Sequence, residues 1–134
     1  MTHFPLDGST PMTYHVFMKE SWIPIVETKA FKERAKSRMS REEVGSAVTM
    51  IARNPTCGRL IKGTGGIRKV RFAVSGRGKS GGVRIIYYFY SENIPVFLLT
   101  VFAKNEKSDL TQAERKILAG LAKKLRDTYG VKED

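Results

Sequence analysis

The stretch Gly65–Tyr90, GGIRKVRFAVSGRGKSGGVRIIYYFY, predicts two β-strands joined by a loop of glycine, lysine and arginine. Residues 67–74 alternate in polarity, so apolar side chains fall on one face of the strand while Lys69 and Arg71 fall on the other. The hairpin can therefore bury one apolar sheet face and present cations on its back.

The second strand of this hairpin, residues 83–90, adds aromatic rings beside those cations. Arg84, Tyr88 and Tyr90 share one face, whereas Tyr87 points with the apolar residues and is expected in the core. For Tyr88 and Tyr90, stacking on a base and packing under a helix are equal alternatives. Cations that bind phosphates beside rings that stack on bases suit a single-stranded nucleic acid.

Positive charge is concentrated in the middle of the chain. The 134 residues include 24 Lys and Arg against 13 Asp and Glu, which gives a formal net charge of +11. No acidic residue occurs between Val44 and Ser91. The cations of that window are Arg53, Arg59, Lys62, Arg68, Lys69, Arg71, Arg77, Lys79 and Arg84. Because solubility alone rarely requires such segregation, we predict a polyanionic partner.

Length and composition predict a single domain. Residues 1–12, rich in Pro, Gly, Ser and Thr, are interpreted as a flexible lead-in, and residues 13–130 as the domain. The chain has no apolar run of the roughly 18 residues that span a bilayer and no secretion signal, so we predict a cytoplasmic protein without a membrane partner. Cys57 is the only cysteine, which excludes an internal disulfide and a cysteine-rich zinc site.

The N-terminal half predicts one strand and two helices. Residues 14–20 alternate as a first strand, and residues 22–26 are apolar but interrupted by Pro24, which indicates an edge or connecting piece. A first helix is expected over residues 28–38. A second begins at a capping box on Ser40–Glu43 and ends at Asn54-Pro55. The two helices are expected to lie on the sheet as an antiparallel hairpin.

After the basic hairpin, residues 95–103 predict an interior strand, since they are apolar on both faces. A capping box at Thr111 and Glu114 then begins a C-terminal helix. The apolar stripe of that helix is expected at Ile117, Leu118, Leu121 and Leu125. The order β-α-α-β-β-β-α predicts an α+β fold: an antiparallel β-sheet with an N-terminal helical hairpin packed on it and a C-terminal helix.

Several common sites are excluded by their context. Gly78-Lys79-Ser80 resembles the end of a phosphate-binding loop, but Ala73 replaces the required glycine and a strand follows instead of a helix. The acid-free window offers no carboxylates for a metal-dependent nuclease, and the only histidines are His3 and His15. We therefore expect neither a metal site nor a cofactor.

Cleavage of RNA without a metal remains feasible. The 2′-hydroxyl attacks the adjacent phosphate when a base removes its proton, while arginines stabilise the added negative charge. Strand positions predict that Lys69, Arg71, Arg84 and Lys104 surround one phosphate as catalytic residues. A lysine crowded by arginines would approach the properties of a base. Phosphate binding without catalysis is the alternative.

Three linked motifs resemble a known family. They are GTGGIRKVR (residues 63–71), GKSGGVRIIYY (residues 78–88) and AKNEKSDL (residues 103–110). In this order and spacing they resemble the HigB-type branch of the RelE/ParE toxin superfamily, over residues 14–126. The resemblance implies an α+β fold with a helical hairpin on an antiparallel sheet, which agrees with the order derived above.

The resemblance also implies a function. Such proteins are toxins of type II toxin–antitoxin modules, and RelE-like members are metal-independent endoribonucleases that cut mRNA in the ribosomal A site. A helix-turn-helix antitoxin would neutralise the toxin, and operator DNA would bind only the toxin–antitoxin complex. The family's basic, phosphate-stabilising and strand-ending residues fall on Lys69 and Arg71, on Arg84, and on Lys104. We expect further RNA contacts from Arg68, Arg77, Lys79, Tyr88, Asn105 and Lys107.

The chain departs from the family pattern at two positions. Asn105 replaces a second arginine, and Thr111 replaces a tyrosine near the C-terminus. No catalytic histidine of the kind that some relatives use is present, so Lys107 or Tyr88 could take the role of base or acid. The alternative function implied by the superfamily is that of a ParE-like toxin that inhibits DNA gyrase without nuclease activity.

Overall fold

The fold is built on one six-stranded sheet flanked by helices, as seen in a computed structural model that describes residues 12–15, 22–75 and 82–130. The strands are β1 (Met12–His15), β2 (Ile25–Thr28), β3 (Arg59–Leu60), β4 (Ile67–Phe72), β5 (Val83–Tyr88) and β6 (Val96–Ala103). The helices are α1 (Lys29–Ala35), α2 (Arg41–Arg53) and α3 (Gln112–Tyr129). The strand order is β1-β2-β6-β5-β4-β3, so the predicted α+β class is confirmed.

The sheet is mixed, because β2 runs parallel to β6 while the other neighbouring strands are antiparallel. The prediction of an edge or connecting piece at residues 22–26 is correct for residues 22–24, which connect, but wrong for residues 25 and 26, since they belong to β2, which lies between β1 and β6. Pro24 is compatible with this place because it precedes the strand, and its carbonyl accepts a hydrogen bond from Val96 N–H at 3.0 Å. Of the predicted first strand, residues 14 and 15 belong to β1, and residues 16–20 lie outside the described part of the chain.

The helical hairpin begins at capped residues. Thr28 Oγ1 accepts a hydrogen bond from Phe31 N–H at 3.2 Å and donates one to Leu98 O at 2.8 Å, so this single side chain caps α1 and docks it on β6. The capping box of Ser40 and Glu43 is present at the start of α2, as predicted. The regular part of α1 ends at Ala35, three residues before the predicted end, and a turn continues it.

Each face of the sheet has its own core. Helices α1 and α2 cover one face, and α3 covers part of the other. The first core includes Phe31, Ala47, Val48, Ile51, Val83, Ile85, Tyr87 and Leu98. The second includes Ile67, Ile86, Tyr88, Phe97, Phe102, Leu110, Ala122 and Leu125. The molecule therefore has three layers, with the sheet in the middle.

A β-bulge interrupts the pairing of β5 with β6. Ile86 pairs with Thr100 but the next residue, Tyr87, pairs with Leu98, which leaves Leu99 as an extra residue. As a result, both Leu99 and Phe102 belong to the core under α3, although simple alternation would separate them. The bulge therefore decides which side chains of the last part of β6 lie on the α3 side of the sheet.

Helix α3 buries a different stripe from the predicted one. Its capping box at Thr111 and Glu114 is present, and Leu125 is buried as expected. Leu118 also packs on the core as predicted, but Ile117 is 70% and Leu121 36% exposed, because the helix turns Ala122 toward the sheet in their place. Within the residues that the structure describes, α3 and the other helices are too short or too polar to cross a membrane.

Candidate nucleic-acid interface

Two neighbouring strands bring three of the predicted site residues together. In the register of β4 and β5, Arg71 lies directly opposite Arg84, and Lys69 lies opposite Ile86. Residues paired in this way project from the same face of the sheet. Lys69 and Arg71 are two residues apart on β4 and therefore share that face as well. This is the face on which α3 packs.

The third strand brings Lys104 to the same place. Arg84 pairs with Phe102 on β6, and Lys104 follows directly after the strand, where its N–H donates to Gly82 O at 3.1 Å. Gly82 has φ +64, and a Cβ there would lie 2.3 Å from Phe72 O, so only glycine allows β4, β5 and Lys104 to approach so closely. The predicted group of four cations is thus assembled across three strands.

Helix α3 divides this face of the sheet into two halves. In the covered half, the helix packs on Ile67, Ile86, Tyr88 and Phe97, which are all fully buried. In the open half lie Lys69, Arg71, Arg84 and Lys104, next to the buried ring of Phe102. Arg71 and Lys104 are exposed, and Lys69 and Arg84 are half-buried. The open half is therefore a basic surface that a phosphate can reach.

Sequence reasoning missed Asp109. Lys69 Nζ donates a hydrogen bond to Asp109 Oδ2 at 2.9 Å, and Arg115 Nη2 lies 3.4 Å from the same oxygen. Partial burial acts to raise the pKa of Asp109, but the hydrogen bonds from Lys69 and Leu110 N–H, with the charge of Arg115, lower it below its ordinary value. The expectation that no carboxylate lies beside the cations is therefore wrong.

The sequence contains little indication of the contact between Lys69 and Asp109. Asp109 lies outside the acid-free window, 40 residues from Lys69 in the chain. Its only local indication was its place in the third motif, just before α3. The partner of Lys69 is thus a carboxylate, whereas crowding by arginines alone was predicted.

The loop between β6 and α3 is fixed by two more ion pairs. Arg38 binds Glu106 through two nitrogens, at 2.7 and 2.9 Å, and Glu106 also accepts from Ala103 N–H at 2.7 Å. The hydrogen bond from Arg38, opposed by burial and assisted by Ala103 N–H, lowers the pKa of Glu106 to about 2. Glu114 at the start of α3 binds Lys107. The loop that carries Asp109 is therefore anchored to the turn after α1 and to α3.

Two predicted RNA contacts lie in this loop. Asn105 is exposed next to Lys104 and is available to a ligand. Lys107 is committed to Glu114, and its Nζ lies 5.0 Å from the centre of the Phe102 ring. Lys107 therefore borders the open half, and an RNA phosphate would have to compete with Glu114 for it.

Two other predicted contacts lie elsewhere. Arg68 points to the opposite face from Lys69, and its Nη1 donates to Gly58 O at 2.7 Å, so it fastens the segment before β3. Tyr88 is fully buried, which excludes stacking on a base and raises the pKa of its hydroxyl. The Tyr90 ring stacks on it at 6.5 Å and is 52% exposed, so Tyr90 is the accessible one of the two.

The remaining predictions have separate outcomes. Arg77 and Lys79, expected to contact RNA, lie outside the described residues. Tyr87 is a core residue, as predicted. Its hydroxyl donates to Pro55 O at 2.7 Å and accepts from Gly58 N–H at 2.8 Å, while burial raises its pKa.

The open half can hold a phosphodiester among cations on a fixed sheet. Arginine and lysine residues of β4, of β5 and of the end of β6 occupy neighbouring positions on that face, and Asp109 adds one carboxylate beside Lys69. Across residues 22–75 and 82–130, no group of three or more His, Cys, Asp or Glu is arranged to hold a metal ion. The arrangement suits binding of a polyanion and stabilisation of charge on a phosphate.

The comparison with known families agrees with this fold. A family model described as RelE toxin of RelE / RelB toxin-antitoxin system matches residues 23–132. The matched range includes every element from β2 to α3, with all four cations and Asp109. The chain therefore belongs to the RelE toxin family of toxin–antitoxin systems.

Proposed function

We propose that this toxin is a metal-independent endoribonuclease of the HigB type, which cuts mRNA in the ribosomal A site and so stops translation. The observation that carries the proposal is the group of Lys69, Arg71, Arg84 and Lys104 on the open half of the sheet. Family membership supports the toxin role in general. The nuclease activity, its dependence on the ribosome and the HigB subtype are parts of the proposal.

The proposed chemistry needs only the substrate and protein side chains. The 2′-oxygen of the RNA bonds to the adjacent phosphorus as its proton passes to a base, and the bond from phosphorus to the 5′-oxygen breaks as an acid protonates that oxygen. The products are a 2′,3′-cyclic phosphate and a 5′-hydroxyl. Arg71 and Arg84, paired across the two strands, are positioned to stabilise the charge that builds on the phosphate oxygens.

The two lysines are proposed to bind the phosphate and to transfer a proton. Lys69, which donates a hydrogen bond to Asp109, is suited to contact the phosphate as a cation. Lys104, exposed at the end of β6, is the candidate for proton transfer. Asn105, next to Lys104, is placed to bind the sugar or a base edge.

The partners follow from the same proposal. The toxin acts in the cytoplasm on mRNA bound to the ribosome, a helix-turn-helix antitoxin neutralises it, and operator DNA binds only the complex of the two. The net charge of +11 on the whole chain favours association with ribosomal RNA as well as with the message.

Induced expression tests the proposal. We expect protein synthesis to stop and new mRNA 5′ ends to appear within translated codons. Arg84→Ala should lower the cleavage rate about 100-fold, because one charge-stabilising donor is lost. Lys116→Ala removes the same charge from an exposed position of α3 and is the matched control.

The two superfamily functions give opposite results in this experiment. Intact mRNA accompanied by DNA damage would replace the nuclease with a gyrase inhibitor. Full toxicity of Arg84→Ala, at equal abundance and with a wild-type circular dichroism spectrum, would remove the open half from the mechanism.

A further inference from the structure

A carboxylate lies where a polyanion is expected to bind. Asp109 contacts Lys69 and Arg115 at the border of the open half. A negative charge within a few ångströms of an RNA phosphate opposes binding and occupies two of the cations that would otherwise hold phosphates. Improved affinity for RNA therefore does not explain this residue.

Stability does not explain Asp109 either. The side chains of Lys69 and Asp109 are 28% and 38% exposed, and ion pairs with such access to water stabilise a fold by about 0–1 kcal/mol. The loop that carries Asp109 is already held by the pairs of Arg38 with Glu106 and of Lys107 with Glu114. A third ion pair at the surface would add little to the stability of this loop.

The geometry fits the task of orienting Lys69. Asp109 Oδ1 accepts from Leu110 N–H at 2.8 Å, which fixes the carboxylate against its own backbone just before α3. Its Oδ2 then faces Lys69 Nζ at 2.9 Å and Arg115 Nη2 at 3.4 Å. A flexible lysine on an exposed strand is thereby held in one direction, next to the pair of Arg71 and Arg84.

We propose that Asp109 is a positioning residue, which holds Lys69 in the orientation that the reacting phosphate requires and does so at the expense of RNA affinity. The proposal rests on the nuclease function proposed above. It assigns to Asp109 no contact with the substrate. Orientation of this kind is a large part of what a rigid site contributes to a rate.

The test compares Asp109→Ala with Asp127→Ala on ribosomes programmed with a short mRNA. Asp127 lies near the end of α3, pairs with Lys123 at 3.5 Å and is 63% exposed, so its loss changes the net charge equally at a distance from Lys69. For Asp109→Ala we expect the cleavage rate at saturating toxin to fall about 10-fold or more. The toxin concentration giving half the maximal rate should fall about 3-fold, because a repelling charge is gone. Asp127→Ala should change neither value by more than about 2-fold.

A second measurement follows Lys69 itself, without any activity. Trace acetylation with acetic anhydride, read by mass spectrometry, reports how freely each amine reacts. The ratio of Lys69 to Lys104 modification should rise about 3-fold in Asp109→Ala and stay constant in Asp127→Ala. If Asp109→Ala proves poorly folded, Asp109→Asn, which keeps the shape and removes the charge, replaces it in both measurements.

The outcomes separate this inference from the proposed function. If the wild-type protein leaves mRNA intact, the nuclease proposal has failed and the inference with it. If the wild-type protein cleaves mRNA and folded Asp109→Ala keeps its maximal rate, Asp109 does not position Lys69. A parallel loss of rate and affinity, with unchanged acetylation of Lys69, would make Asp109 a structural residue and would also overturn the inference.

Discussion

The covered and open halves of one sheet face are built from the same strands but have opposite properties. In the covered half, Ile67 pairs with Tyr88 under α3, and both are fully buried. In the open half, four residues farther along β4, Arg71 pairs with Arg84, and Arg71 is exposed while Arg84 is half-buried. The backbone pairing is the same at both ends, so the side chains and the position of α3 together make one end part of the core and leave the other partly open to solvent.

The two pairings also differ in energy. An aromatic ring opposite a β-branched residue stabilises a sheet by roughly 0.2–1 kcal/mol, whereas two like charges directly opposite each other destabilise it. Arg71 and Arg84 therefore gain no cross-strand stabilisation from each other. Their pairing is consistent with the phosphate-binding role proposed above.

The largest expected effect is on the covered half. Tyr88→Ala should lower the free energy of unfolding by about 3–5 kcal/mol, because it leaves a cavity under α3. Tyr90→Ala, two residues away and half exposed, should cost less than about 1 kcal/mol. Urea denaturation followed by circular dichroism measures both values. Equal losses at the two positions would contradict the burial of Tyr88 under α3.

An intermediate effect is expected at the loop that borders the open half. The pKa of Glu106 falls from 4.5 to about 2 in the folded protein, so its pair with Arg38 stabilises the fold above about pH 4.5 and loses this contribution as the pH falls through about 2. Because the Glu106 side chain is 36% exposed, we expect the free energy of unfolding at pH 7 to be only about 1 kcal/mol lower in Glu106→Gln than in the wild-type protein.

Urea denaturation of the wild-type protein and of Glu106→Gln at pH 7, 4 and 2 checks the direction of this pH dependence. The difference in unfolding free energy should shrink steadily toward pH 2. A difference that stays constant with pH would mean that the amide fails to replace the carboxylate for a reason other than charge.

The smallest effect is expected on the salt dependence of RNA binding. If the open half binds phosphates, Arg71→Ala should reduce the slope of log affinity against log salt concentration by about 0.7 for a single-stranded RNA. Lys116→Ala, which removes an exposed charge of α3, should leave the slope unchanged. Fluorescence anisotropy with a labelled oligonucleotide at several salt concentrations measures it. An equal change in both variants would show that charge acts here without a defined site.

Local signals in the sequence predicted much of the fold. Both capping boxes, at Ser40 and at Thr111, begin helices as expected, because the serine or threonine and the glutamate three residues later satisfy each other's neighbouring amides. The alternation of β4 and β5 also placed Lys69, Arg71 and Arg84 on one face. These features depend on residues close together in the chain.

Features that depend on distant contacts were not predicted. The parallel pairing of β2 with β6 joins residues about 70 positions apart, and the ion pair of Lys69 with Asp109 joins residues 40 positions apart. The burial of Tyr88 follows from how far α3 extends along the sheet, which no pattern within β5 reports. Periodicity identifies the face of a strand but not what covers it.

The bulge at Leu99 has a consequence for how this chain can tolerate a deletion in β6. Since Leu99 is the unpaired residue, removing it while keeping the register would restore regular alternation and leave Phe102 opposite Arg84. A single-codon deletion at Leu99 would thus keep Lys104 on the same face as its three companions and remove only one side chain from the core under α3.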